Sequence, residues 1–102
     1  MSRLKAVTQL TSKTTDVTMN AKNGIITTVA LTDAADTEFE FVVSNNKVYP
    51  DSNIQATAVY GGAGVPLVSI VSRDKFTFTL RIANVGVAAF DAAVGINVSI
   101  VG

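Results

Sequence analysis

Strict alternation of apolar and polar residues constrains this chain more than any other feature. From Lys75 to Ile82, the side chains of Phe76, Phe78, Leu80 and Ile82 fall on one face, and those of Lys75, Thr77, Thr79 and Arg81 on the other. Phe39, Phe41 and Val43 oppose Glu38 and Glu40 in the same way. Near the end, Val94, Ile96, Val98 and Ile100 alternate with Gly95, Asn97, Ser99 and Val101. A period of two is the mark of a strand with one buried face, because successive side chains point to opposite sides of a sheet. Residues 16–20, 24–30, 54–60 and 67–72 supply shorter runs, rich in the Val and Thr that a pleated surface favours.

Turn chemistry separates the runs. Asn23-Gly24 predicts a hairpin between the first two strands. Ser44-Asn45-Asn46-Lys47, Tyr49-Pro50-Asp51-Ser52-Asn53 and Gly61-Gly62-Ala63-Gly64-Val65-Pro66 read as breaks, and Ser72-Arg73-Asp74-Lys75 as a tight hairpin. Residues 83–94 are rich in alanine but contain Gly86, and are expected to form a long loop. About seven or eight short strands at roughly ten-residue spacing predict an all-β fold, an antiparallel β-sandwich or jelly roll. Residues 16–102 would form this single domain. Residues 1–15 would be an N-terminal arm, with basic Arg3, Lys5 and Lys13 and with Leu4, Val7 and Leu10 three apart.

Composition narrows function mainly by what is missing. The chain has 102 residues and neither His nor Cys, so it lacks the commonest general base, a thiol nucleophile, a disulfide and the usual soft metal ligands. Its eight acidic and eight basic residues cancel, which argues against nucleic acid as a partner. No apolar run reaches the length of a membrane-spanning helix, so no membrane partner is expected. The first residues lack the apolar stretch of a signal peptide. Charged residues are 16% of the chain and apolar ones 48%, which excludes disorder and implies apolar surface covered by partners.

Few residues remain as chemical candidates. Glu38 and Glu40 share a strand face about 7 Å apart, yet paired catalytic carboxylates come from different strands around a cleft. They read as a solvated face. Asp33 and Asp36, beside Thr32 and Thr37, offer oxygen ligands without the spacing of a calcium loop. The glycine loop lacks the Lys-Ser/Thr of a phosphate loop, and Asn97-Val98-Ser99 matches a glycosylation sequon only inside a strand. Tyr49 and Tyr60 are candidates for a sugar site. No enzymatic activity, metal or cofactor is expected. Residues 1–22 hold four basic side chains and one acidic, whereas residues 33–51 hold five acidic and one basic. That asymmetry suits a basic arm docking on an acidic neighbour.

Several of these runs together resemble a short β-module of tailed-phage virion structural proteins. Ser12-Lys13-Thr14-Thr15-Asp16-Val17-Thr18-Met19-Asn20, followed by Gly24-Ile25-Ile26-Thr27, is similar to its opening. Phe39-Glu40-Phe41-Val42-Val43-Ser44-Asn45 looks like its Phe-containing strand. Tyr60 to Pro66 is similar to its glycine loop. Phe76-Thr77-Phe78-Thr79-Leu80 with Asn84, then Ala88-Ala89-Phe90-Asp91 and Ile96-Asn97-Val98, are similar to its closing strands. The likeness spans roughly residues 12–101. Arg73-Asp74-Lys75 departs from the module's more usual Gly-Ser, and Glu38 and Glu40 are unusual in their strand.

The resemblance implies a capsid decoration (cement) protein at the virion surface. The chain's shortness and its start at Met1 favour that stand-alone form over a fibre. Expected partners are the chain itself, as a homotrimer on a local three-fold site, and the major capsid protein. The expected capsid-binding residues are Arg3, Leu4, Lys5, Val7 and Leu10 of the arm. Val42, Val59 and Val101, on the outer faces of their strands, are the expected oligomer contacts. A tail or head fibre module, a carbohydrate- or receptor-binding β-domain, and an adhesin or pilus subunit are the alternatives.

Overall fold

A computed structural model describes residues 5–101. They form eight strands: β1 (Lys5–Thr8), β2 (Val17–Thr18), β3 (Asn23–Thr27), β4 (Glu38–Ser44), β5 (Asn53–Val59), β6 (Pro66–Asp74), β7 (Thr77–Asn84) and β8 (Gly95–Val101). Sheet I has the order β1-β3-β8-β5, and sheet II the order β2-β4-β7-β6. The two sheets bury one face each against the other, as an all-β sandwich requires. The sheets are mixed, however, and not purely antiparallel. β1 runs parallel to β3, and β2 parallel to β4.

The alternating runs supply the core. Phe39, Phe41 and Val43 of β4 and Phe78, Leu80 and Ile82 of β7 point inward from sheet II. Ile26 of β3 and Ile96, Val98 and Ile100 of β8 meet them from sheet I. Each such side chain, fully buried, contributes on the order of 1.5–3 kcal/mol. Met19, Leu31, Val48, Phe90 and Val94 close the ends of the core from connecting segments. Residues 85–94 form the expected long loop, after Ala83 and Asn84 complete β7.

Both predicted hairpins differ from the structure. Asn23 and Gly24 lie inside β3, and β2 and β3 belong to different sheets. Gly24 is needed for close approach instead of for a turn: a Cβ there would meet the Met19 side chain and the Lys5 carbonyl. The later hairpin falls two residues beyond its expected place. β6 continues through Asp74, which pairs with Thr77, so Lys75 and Phe76 make the turn. Phe76 is therefore not the first inward residue of its strand. Its φ is 69°, the residue is 40% exposed, and its ring packs against Tyr49 with centroids 5.8 Å apart. A bulky residue adopts this left-handed conformation only where its surroundings impose it. Here the Phe76 N–H donates to the Val48 carbonyl at 2.8 Å, and its carbonyl accepts from the Asn45 N–H at 2.8 Å.

Residues 5–9 are not a free arm. Lys5 to Thr8 pair with Gly24 to Thr27 at the edge of sheet I. Gln9 is buried, its backbone N–H donating to the Thr27 carbonyl at 2.8 Å. Its side-chain NH2 donates to the carbonyls of Lys13 and Thr15, and its Oε1 accepts from the Val29 N–H. One buried amide thus folds residues 10–15 back onto the domain.

Candidate functional site

The structure separates the residues expected to bind partners. Arg3 and Leu4 lie outside the described residues. Lys5 is exposed, Val7 is half-buried on the inward face of β1, and Leu10 projects with 85% of its surface exposed. Val42 lies on the outer face of sheet II and is half-buried. Val59 and Val101 are 58% and 60% exposed on the outer face of sheet I, at opposite ends of the β5–β8 ladder. At about 3.4 Å per residue they stand roughly 20 Å apart, so the three valines form no single patch.

The chemical candidates are tied into structural contacts. Arg81, on the outer face of sheet II, donates from Nη2 and Nε to Glu40 Oε2 at 2.6 and 2.9 Å. It also lies 3.9 Å from a Glu38 carboxylate oxygen. The hydrogen bond to Glu40, then the charges of Glu38 and Glu40, raise the guanidinium pKa above its ordinary value. These are two carboxylates gripping one cation. Asp33 is buried and paired with Lys13 at 2.8 Å, and Lys13 also lies 5.3 Å from the centre of the Phe39 ring. No group of three or more metal-ligating side chains occurs among the described residues. Tyr49 packs against Phe76 at one end of β7, and Tyr60 against Phe90 at the other, so they line no common site.

An apolar tip is assembled where the sequence suggested only loops. It forms where the glycine loop (residues 60–66) meets the loop after β7. The Val85 N–H donates to the Val65 carbonyl at 2.9 Å, which locks the two loops together. Leu67, paired with Ala83, adjoins them. Val65, Leu67 and Val85 are each more than half exposed, and Val87 is fully exposed. Beneath the tip lies Asn84, buried. Its NH2 donates to the Ala88 carbonyl at 2.8 Å and the Asp33 carbonyl at 3.1 Å. Its Oδ1 accepts from the Gly86 N–H at 3.1 Å and the Val65 N–H at 3.3 Å. Tyr60 and Asp91 add a second brace: Asp91 Oδ1 accepts from the Ala63 N–H at 2.8 Å, and the Tyr60 hydroxyl accepts from the Asp91 N–H at 3.1 Å.

Every hydrogen-bonding direction of the Asn84 amide is therefore used. The valines it supports are held by hydrogen bonds to the backbone around them yet are unburied. Contiguous exposed apolar surface, unlike singly scattered apolar residues, marks interaction sites. Sequence reasoning missed Asn84 as a site residue, although a signal was present: it keeps the inward phase of Phe78, Leu80 and Ile82, where an amide must be hydrogen-bonded to be tolerated.

No family model matches the chain, and neither a curated protein nor a solved structure matches it.

Proposed function

We propose that this chain is a virion structural protein of a tailed phage, acting as a homotrimeric capsid decoration (cement) protein. The observation that carries the reading is the braced apolar tip of Val65, Leu67, Val85 and Val87. The resemblance of residues 12–101 to the virion β-module supports it independently. On this reading the tip is the main shell contact. Leu10 is the part of the N-terminal segment best placed to add to it, and Lys5 and Val7 serve chiefly to hold β1 in the sheet. Many copies bound only to the assembled state would stabilise the shell by mass action.

The test is mass in solution followed by co-sedimentation with expanded phage heads that lack the protein. The expected result is three times 10.6 kDa, or a multiple of that, with the protein pelleting with the shells. Val87→Asp should keep its circular dichroism spectrum and melting temperature and lose pelleting. A monomer that stays in the supernatant would overturn the reading.

A further inference from the structure

We infer that β5 is a self-pairing edge, across which a second copy of this chain extends sheet I around a two-fold axis. The inference goes beyond the shell-binding reading and does not depend on it.

An edge strand presents a row of unpaired N–H and C=O groups that invites another strand, and proteins blunt such edges. Three of the four edges here are blunted. β1 is four residues long and carries Lys5, while β2 has two residues. β6 begins at Pro66, is irregular between Ile70 and Ser72, and ends in Arg73 and Asp74. Arg73 also reaches across to hydrogen-bond the Ser52 carbonyl. β5 reads Asn-Ile-Gln-Ala-Thr-Ala-Val over seven residues, with no charge, no proline and no irregularity in its pairing with β8.

The core is also open along this side. Ile96, Val98 and Ile100, inward on β8, are almost fully buried, whereas Ala56 and Ala58, inward on β5, are packed against the core but only partly buried. Val68 and Ile70, inward on β6, are likewise only partly buried. A cleft lined by Asn53, Ile54, Ile70 and Arg73 runs between the two strands. A strand added to β5 would extend the roof over this seam.

The occupant is identified by charge and by register. No charged residue occupies an outward position of β3, β5 or β8, so like meets like there without repulsion. The chain's net charge of zero adds no long-range barrier to self-association. An isologous contact places the same surface on both partners. With Ala56 opposite the partner's Ala56, all seven residues pair, inward with inward and outward with outward. Ile54 meets the partner's Ala58, Gln55 meets the partner's Thr57, and Asn53 meets the partner's Val59. The product is one eight-stranded sheet; in a decoration trimer all three β5 edges would pair with those of a single second trimer, giving a closed hexamer.

The chain has no cysteine, so engineered thiols report this register cleanly. Gln55→Cys and Thr57→Cys, both at exposed positions, are co-expressed and mildly oxidised. Directly opposed residues have Cβ atoms about 4.5–5.5 Å apart and diagonal ones roughly 7–8 Å apart, and only the former approach disulfide geometry. The expected result is a disulfide-linked pair from the two variants together and none from either alone. Absence of that mixed pair overturns the inference. So does Thr57→Lys if it retains both the circular dichroism spectrum and the solution mass of the unaltered chain, since the inference requires the mass to halve. Either result leaves the shell co-sedimentation outcome standing by itself.

Discussion

Replacing Asn84 with alanine removes four hydrogen bonds from a buried position. Each is worth about 1 kcal/mol net, and carbonyls left dry cost more than those that regain water. The Asp33 carbonyl also accepts from the Phe90 N–H, so it keeps one partner after the change. The expected loss is therefore about 3–4 kcal/mol, a large share of the roughly 5–15 kcal/mol that holds a domain together. In a domain of this size that lowers the melting temperature by roughly 15–25 °C. Urea unfolding followed by circular dichroism should show an earlier midpoint with an unchanged slope, because the surface exposed on unfolding is the same. Hydrogen exchange should quicken first at the Val65 and Gly86 amides, which lose their acceptor. Asn84→Asp sharpens the test. It keeps the accepting oxygen but turns two donated bonds into a carboxylate facing two carbonyls. Burial favours its neutral form in the folded state, so the loss should be greatest at neutral pH and partly recovered as pH falls through the carboxyl range. A loss below about 1 kcal/mol for Asn84→Ala would refute the brace, since even one of the four bonds is expected to contribute that much.

Three further outcomes follow from the contacts described. Phe76→Gly should stay within about 1 kcal/mol of the unaltered chain, because relief of the left-handed backbone cost offsets loss of a part-exposed ring. Phe78→Ala, two residues along the same alternation, should cost about 3–5 kcal/mol; equal losses by urea titration would contradict the turn assignment. Gln9→Ala should cost about 2–3 kcal/mol and make residues 10–15 the first site of limited proteolysis, while an unchanged digestion pattern would count against its role. Arg81→Ala should lower the melting temperature slightly at low salt and converge on the unaltered chain in molar salt, because its pairs are solvent-exposed and screened. A salt-independent loss would point to packing instead.

The core was legible because burial on one face forces a period of two. Phe39, Phe41 and Val43, like Phe78, Leu80 and Ile82, could be assigned without knowing their partners. Pairing was not legible in the same way. Asn23-Gly24 carries the composition of a hairpin turn, but the glycine is required by Met19 packing over it, and local composition does not distinguish those causes. Phe76 keeps the phase of the strand yet is drawn into the turn by its hydrogen bonds to the Val48 carbonyl and from the Asn45 N–H. The N-terminal segment looked detachable because Leu4, Val7 and Leu10 have no period of two. What anchors it is Gln9, whose partners are backbone groups with no sequence signature. The apolar tip has no local signature because Val65 lies twenty or more residues before Val85 and Val87 and meets them only through Asn84 and the Val65–Val85 hydrogen bond.

The succession of strands between the sheets bears on how the chain finds its fold. Of the seven connections, only β6 to β7 joins neighbours within one sheet; every other connection passes from one sheet to the other. Six loops must therefore close before the pairings they permit can form, and such non-local closure slows folding by orders of magnitude relative to helical domains. The β6–β7 hairpin is the natural nucleus, since its eight paired positions form around a two-residue turn. β4 can then add to it and set Phe39 and Phe41 beside Ile82 and Leu80 on the inward face. Among the described strands, sheet I has no hairpin of its own and must assemble on this template, with β1 waiting for β3 to be seated against β8. The inward residues of sheet II would thus stay uncovered until β8 is available to seat the strands of sheet I over them. The two faces would close together late instead of growing strand by strand.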